Sequence, residues 1–440
     1  MRNTPINYQI VSKLVAESGL KPNISSSSIR EIVKLVNNLE NASGQKYIRM
    51  EMGVPNLQVP QIMIDAEIEA LKNGLAAIYP NIEGDSELKT QTARFFKLFA
   101  NIDVEPQHCV PSVGSMQGAM AIYLVVSRLW KNKNKILFID PGFPVQKQQC
   151  VVLGIDYETF DVFNYRGDKL KEKLETYFKT NEFAAVIYSN PNNPTWINFT
   201  EKELKIIGEL ATKYDLIVLE DLAYFGMDYR YDYCQPGVEP FHPTVAHYTD
   251  NYVIMFSSSK IFSFAGERIG MIVVSPKIYC HKFPDLLRNF KKDSFGYALI
   301  YGALYSCSSG VNHSAQKGLA AILKAANDGK FNFVEYSKTY GERAKIVKKM
   351  MLDNGFKIVY DMDEDKPVGD GFYFTFSYPG LSGDELLEEL LYYGISAISL
   401  KITGSEHTEG MRACVSQILP EQLDVLRYRL ECFGNDHKKY

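Results

Sequence analysis

"VIMFSSSKIFSFAGERIG" (Val253–Gly270) decides how this chain is read. An apolar run ends in three serines and Lys260, and eight residues later Arg268 leads into a second apolar run, "MIVVS". Short apolar runs bounded by turn residues read as buried strands. A lysine just past such a strand is costly unless its head group finds a partner. Desolvation disfavours the ammonium and lowers its pKa, which suits it to form a Schiff base. A lone lysine in this position would read as a solvated residue at a helix start. Ser257, Ser259 and Arg268 change that reading, because hydroxyls at a strand-to-helix turn and a guanidinium can together hold a phosphate.

Upstream, "KILFID", "AAVIYSN" and "DLIVLED" have the same character and are separated by stretches of helical period. The alternation predicts parallel strands joined by crossover helices, with "MIVVS" as the next strand. One of those helices starts at "TEKELKIIGEL", where Thr200 and Glu203 have capping-box spacing. Asp140, Asn190, Asp221, Ser257 and Lys260 all fall at the carboxyl ends of these runs. In open α/β sheets that edge is where ligands bind.

From about residue 331 the rhythm changes to an amphipathic helix, the runs "FKIVYDM", "GFYFTFSY" and "GISAISL", and a closing helix from Glu421. The first 65 residues lack the sheet rhythm, and "MEMGVPNLQVP" reads as a Pro-broken connector. The expected division is an N-terminal segment, 1–65, packing with a small C-terminal domain, 331–440, and a large domain over 66–330.

Composition narrows the function classes. With 440 residues, 46% of them hydrophobic, the chain can bury a large core. A net charge of −4 without a block of like charges argues against nucleic acid or an anionic membrane as partner. Seven cysteines with no C-x-x-C pair, and histidines without H-E-x-x-H spacing, predict neither a disulfide framework nor a metal. The sequence has no uninterrupted apolar run of 18 residues, so a soluble cytoplasmic protein is expected. "SSSK" is also the S-x-x-K of serine acylases, with "YSN" as a second element. That reading lacks K-T-G and leaves Asp221 and Arg268 without roles.

S-x-S-K followed after seven residues by R-x-G resembles the lysine segment of the class I/II aminotransferases, the fold type I enzymes that use pyridoxal 5′-phosphate. "SNPNNPTW" at 189–196 and "EDLAYFGM" at 220–227 match that family's N-P-x-N-P-T-G and Asp-x-x-Tyr in order and spacing. The resemblance extends to "GVP" at 53–55, "YPNIEGDSEL" at 79–88, "VGSMQGA" at 113–119, "DPGFP" at 140–144 and "MRACVSQ" at 411–417. It implies an α/β fold like that of aspartate aminotransferase. A large domain would hold a mostly parallel, helix-flanked sheet, and the two chain ends would form a smaller α+β domain.

The resemblance also implies roles. Lys260 would be the Schiff-base lysine and proton carrier, Asp221 the partner of the pyridinium nitrogen, and Tyr224 and Asn193 donors to the cofactor's phenolate oxygen. Phe143 would stack on the ring. Gly114, Ser115, Met116, Ser257, Ser259 and Arg268 would hold the phosphate, with Tyr79 reaching the phosphate of the neighbouring subunit of a homodimer. Arg412, Gly53 and Asn193 would bind substrate, Arg412 through the α-carboxylate. The implied activity is ping-pong transfer of an amino group from an L-amino acid to a 2-oxo acid. A C–S lyase or decarboxylase is the alternative on the same cofactor grip.

Two features depart from or extend this pattern. The family's glycine after N-P-T is Trp196 here, so either the local backbone differs or the indole points outward. Arg288, Lys291 and Lys292 are candidate second cations for an acidic substrate. A charge run of this kind reads as solvated, which predicts a broad preference for aromatic or medium apolar amino acids.

Overall fold

The computed structural model describes residues 4–437. They form two compact units, one of 57–191 with 198–337, the other of the residues up to Asn56, Asn192–Ile197 and the residues from Lys338 onward.

The large unit is built on seven strands: β1 (Cys109–Ser112), β2 (Lys135–Asp140), β3 (Tyr157–Asp161), β4 (Phe183–Ser189), β5 (Ile217–Leu222), β6 (Tyr252–Ser257) and β7 (Gly270–Val274). Their order is β1-β7-β6-β5-β4-β2-β3. Every pairing from β6 to β3 is parallel, as crossover helices require. β7, the "MIVVS" strand, is antiparallel to both its neighbours, contrary to the sequence expectation. Only one helical turn, Ser258–Ile261, lies between β6 and β7. The rest of the link, 262–269, is turn and coil with no crossover helix to carry the chain back across the sheet, so the chain re-enters beside β6 in the opposite sense. β1 and β3 were missed as strands. Pro111 shortens the pattern of β1, and β3 carries Glu158 and Thr159 as an edge strand can.

Ile122, Phe138, Ile187, Leu219, Val253 and Ile272 belong to one buried cluster of the large unit. The helix α1 (Gly114–Val126) follows β1, and α2 (Pro144–Leu153) follows β2. The helix Glu201–Lys213 starts with the expected capping box, the Thr200 side chain accepting from Glu203 N. Glu203 is fully buried and also takes the Arg166 guanidinium at 2.8 Å. Burial works to raise its pKa, but Arg166 and the backbone donors at Gly167 and Thr200 outweigh that and hold it below the usual range.

The small unit contains the strands β8 (Lys357–Ile358), β9 (Tyr373–Ser377), β10 (Ile398–Ser399) and β11 (Met411–Cys414) in the antiparallel order β10-β11-β9-β8. Ile48–Arg49 pairs in parallel with Ile395–Ser396, tying the N-terminal segment to the C-terminal part of the chain. Val11, Leu35, Tyr47, Phe376, Leu390 and Phe433 share one buried cluster. The closing helix is Leu423–His437, one short turn later than expected.

The units divide at 56/57 and 337/338 rather than 65/66 and 330/331. The helix Gln61–Lys72 packs on the helix His313–Asn327 and so belongs to the large unit. The expected long helix after 331 is two helices, Phe333–Ser337 and Thr339–Asp353, which fall on opposite sides of that division. Asn192–Ile197, read as part of the large domain, is grouped with the small unit.

Candidate active site

In the large unit the sheet register sets Asp221 level with Ser189 on β4 and Met255 on β6, at the carboxyl edge. Successive strand residues face opposite sides, so Asp221 and its neighbour Glu220 enter different environments. Glu220 accepts from Tyr188 Oη at 2.9 Å, from Val245 N at 3.2 Å and from Thr244, a closed structural network. Asp221 accepts from Gln146 Nε2 at 2.8 Å and from Ala223 N at 3.1 Å. Both donors are neutral, and among the described residues no cation pairs with this carboxylate. Burial pushes its pKa up to about 6, against the lowering effect of those two donors.

A carboxyl group raised in this way stabilises the fold below its ordinary pKa of 3.8, and the contribution is lost as pH climbs through about 6. Asp221→Asn keeps an acceptor oxygen and removes the charge. The ligand-free variant should therefore be spared the loss that the wild type suffers as pH rises through 6, about 3 kcal/mol in all, two pKa units at about 1.4 kcal/mol each. Urea unfolding of both proteins at pH 5 and pH 8 checks this, and an equal change in the two would refute it.

The segment after β6 forms the second part. Ser257 ends β6, and its hydroxyl accepts from Ser259 N at 3.2 Å, capping the turn of helix that carries half-buried Lys260. Ser257 pairs with Gly270, and Gly270 in turn pairs with Ser112 on β1. That brings the start of α1 alongside, where Val113 offers no side-chain cap to the first N–H groups. Gly114 has φ +66°, and a Cβ there would lie 2.6 Å from Arg268 Nη2. The first turn of α1 (Gly114, Ser115, Met116) therefore sits beside Arg268, next to the Ser257 register. Arg268 itself is exposed and left-handed, with φ +53°. Phe143 is the half-buried cap of α2, Tyr224 is buried in the turn after β5, and Tyr79 is 86% exposed.

The small unit holds Arg412, 2% exposed. Nη2 donates to the Glu51 carbonyl at 2.6 Å and Nη1 to Asn193 Oδ1 at 3.3 Å, while the guanidinium lies 4.6 Å from the Tyr373 ring centroid. Arg412 pairs with Thr375, two residues from Tyr373 along β9, so the two side chains share a face. The Glu51 carboxylate is taken by Arg49 at 2.5 Å and Ser396 at 2.5 Å. Among the described residues no carboxylate pairs with Arg412, and its Nε is buried with no acceptor. Gly53 packs against this group: a Cβ there would meet Tyr373 Oη at 2.1 Å.

Trp196 corrects one expectation. The indole does not point outward but is fully buried, and the residue keeps a left-handed backbone at φ +66°, the conformation a glycine would supply. The turn is closed by Trp196 N to Asn192 O at 2.9 Å and by Thr195 N and Oγ1 to Asn192 Oδ1 at 3.0 and 2.7 Å.

Arg288 lies with Arg128 and Lys131 around a cavity of about 210 Å³ near the carboxyl end of α1, a helix length of about 20 Å from Gly114. Sequence reasoning missed Gln146 and Tyr373. Gln146 lies in the first turn of α2, three residues after Phe143, and Tyr373 is on the Thr375 side of the alternating run "FYFTFS". Among the described residues no cluster of His, Cys, Asp and Glu could hold a metal, and no helix is long and apolar enough to cross a membrane.

Residues 45–430 match the family described as aminotransferase class I and II. A probable aspartate aminotransferase of Methanocaldococcus jannaschii is 24% identical over 82% of this chain and 84% of its own length. Aromatic-amino-acid aminotransferase 2 of Thermococcus litoralis is 27% identical over 57% of this chain and 61% of its own. Among solved structures, an alanine aminotransferase from Pyrococcus furiosus superposes with TM-score 0.76 at 22% identity, covering 95% of this chain and 99% of that one. A Thermus thermophilus aspartate aminotransferase variant gives 0.74 at 18% identity, covering 99% and 100%. With the family matched along most of its length and the fold shared with solved members, this chain belongs to the class I and II aminotransferases, which use pyridoxal 5′-phosphate.

Proposed function

We propose that the protein transfers the amino group of an L-amino acid to a 2-oxo acid, with Lys260 moving the proton at the substrate Cα, Asp221 holding the cofactor's ring nitrogen and Arg412 holding the α-carboxylate. The observation that carries this reading is a complementary pair of uncompensated buried charges. Asp221 is a buried carboxylate with only neutral donors, and Arg412 is a buried guanidinium without a carboxylate. An unpaired buried charge is costly, so each group favours a ligand of opposite charge. A protonated pyridine nitrogen answers the first and an amino acid's carboxylate the second.

Pyridoxal phosphate, when bound, supplies an electron sink for the charge left at Cα. The chain's own groups fit its other parts. The uncapped first turn of α1 with Arg268, Ser257 and Ser259 suits a phosphate dianion. Phe143 offers a ring face, and Tyr224 and Asn193 offer polar groups for the phenolate oxygen. Lys260 accepts the Cα proton of the donor and returns a proton when the oxo acid is aminated. Gly53 and Asn193 border Arg412 and shape the carboxylate position.

We assign the protein to the cytoplasm, supported by seven cysteines none of which is in a disulfide. We also assign a homodimer in which Tyr79 reaches the partner's phosphate. Supporting this are the exposed apolar side chains of Ile68, Leu71, Ile78 and Tyr79. Light scattering should give twice 49.9 kDa, and a fully active monomer would remove Tyr79 from the site.

Donor choice follows from what surrounds the carboxylate anchor. Arg412 has an aromatic neighbour, and Arg288 lies far from Gly114, so aromatic and medium apolar amino acids are the expected donors. Twenty amino acids, each scored by loss of the aldehyde form's absorbance in a single turnover, test this. A clear preference for aspartate or glutamate would overturn the side-chain assignment.

A further inference from the structure

Trp196 occupies a position that is costly twice over. A bulky residue at φ +66° is strained, and the indole leaves no room for any side chain at residue 371. A Cβ on Gly371 would lie 2.0 Å from Trp196 Cε2, 2.1 Å from Nε1 and 2.2 Å from Cζ2, against about 3.5–4.0 Å for a relaxed contact. Gly371 has no left-handed φ, so its backbone does not call for glycine. The space does. The same holds one contact further on, where Gly53, also without a left-handed φ, leaves room for Tyr373 Oη.

The contacts form a chain. The indole fills the side-chain space of Gly371, two residues before Tyr373, and its ring meets the Tyr373 ring edge-on at 6.2 Å between centroids. Tyr373 in turn lies with its ring on the Arg412 guanidinium at 4.6 Å and its hydroxyl against Gly53. From the other end, the turn carrying Trp196 also carries Asn193, whose Oδ1 accepts from Arg412 Nη1. Arg412 is thus held from both ends of one six-residue loop, by Asn193 directly and by Trp196 through Tyr373.

We propose that Trp196 is a positioning residue for carboxylate binding: with Gly371 as its socket it wedges Tyr373 against Gly53 and beneath Arg412, fixing the guanidinium for an incoming carboxylate. This rests on the reading of Arg412 as the carboxylate anchor. The wedge makes no contact with the substrate. It acts by removing alternative positions of the Tyr373 ring, and its loss weakens binding of both amino and oxo acids while the proton transfer at Lys260 is left alone.

The test is a reciprocal swap. Gly371→Ala drives a methyl group into the indole and should raise KM for donor and acceptor about ten- to hundred-fold, the cost of a displacement near 1 Å, with kcat changed far less. Trp196→Gly with Gly371→Ala removes the clash and gives residue 371 a side chain in the vacated space. Because the indole is what meets Tyr373, that double variant should bind no better than Trp196→Gly alone, whose KM should rise as in Gly371→Ala. The second readout is independent of turnover. The chain has two tryptophans, Trp130 and Trp196, so in a Trp130→Phe background the emission of Trp196 reports its own surroundings. Titration with 3-phenylpropanoate, a carboxylate with no amino group, should change that emission saturably, with a dissociation constant raised about tenfold or more by Tyr373→Ala. If transamination fails in every donor but this titration behaves as stated, the wedge stands and the assigned reaction falls. If KM and the titration are unmoved by Gly371→Ala, or Trp196→Gly alone matches the wild type, the wedge is refuted. Should Gly371→Ala fail to fold, Trp196→Gly alone, which adds no atoms, decides.

Discussion

Lys260→Ala should yield a folded protein that gives no borohydride-fixed cofactor adduct and turns over about ten-thousand-fold more slowly, the upper end of what a positioned general base contributes. The substitution leaves the cap and the backbone frame of the turn in place. Lys260 is the third residue of the one-turn helix Ser258–Ile261, whose cap is set by Ser257 Oγ and whose Ser258 hydroxyl bonds Ile269 O at 2.7 Å. None of these contacts uses the Lys260 side chain, and alanine is the best helix former. A loss of turnover with the fold retained reports chemistry rather than unfolding. Circular dichroism should match the wild type, and reduction of the wild-type holoenzyme followed by peptide mapping should place the adduct on Lys260. An adduct on another lysine, or substantial turnover by the alanine variant, would remove Lys260 from its role.

Arg412→Ala should lower kcat/KM for every amino donor by a similar factor. Truncating one member of a buried, hydrogen-bonded charge pair costs about 2 to 5 kcal/mol, or roughly thirty- to several-thousand-fold. The uniformity matters as much as the size. Arg412 contacts Glu51 O, Asn193 and Tyr373, and a group that binds the α-carboxylate has no reason to distinguish side chains. Arg412→Lys should recover little, because an ammonium lacks the planar fork that matches a carboxylate at two points. Steady-state kinetics on one aromatic, one aliphatic and one acidic donor check this. A loss confined to one class of donor would move Arg412 from carboxylate anchor to side-chain selector.

The residues that could be read from sequence are those whose chemistry is expensive wherever they sit. A lysine behind a buried strand, an aspartate behind "LIVLE" and an arginine inside "GMRACVSQI" each need a partner, and that need is visible without a fold. Gln146, Tyr373 and Gly371 were not legible, because nothing in their own type or neighbours is costly. Their parts arise only when α2 brings an amide to Asp221, or when a six-residue turn lays an indole on a glycine. The direction of β7 was hidden for a related reason. An apolar run marks a strand but carries no sense, and only the lack of a crossover helix in the preceding link tells which way it runs. Trp196 shows the limit from the other side. The departure from the family's glycine was plain in the sequence, yet the answer, a retained left-handed backbone with the ring turned inward, depended on a vacancy at residue 371 that lies 175 positions away.

The proposed transfer runs in two halves, and the absorbance of the holoenzyme, followed as the substrates are added in turn, separates them. An aromatic amino acid added alone should convert the aldehyde form of the cofactor to its amine form once and then stop, because the chain has no other acceptor for the amino group. Adding a 2-oxo acid should restore the starting spectrum with release of one equivalent of product. Continued turnover on the amino acid alone, with ammonia or carbon dioxide accumulating and no oxo acid present, would contradict the assignment and point to a lyase or decarboxylase.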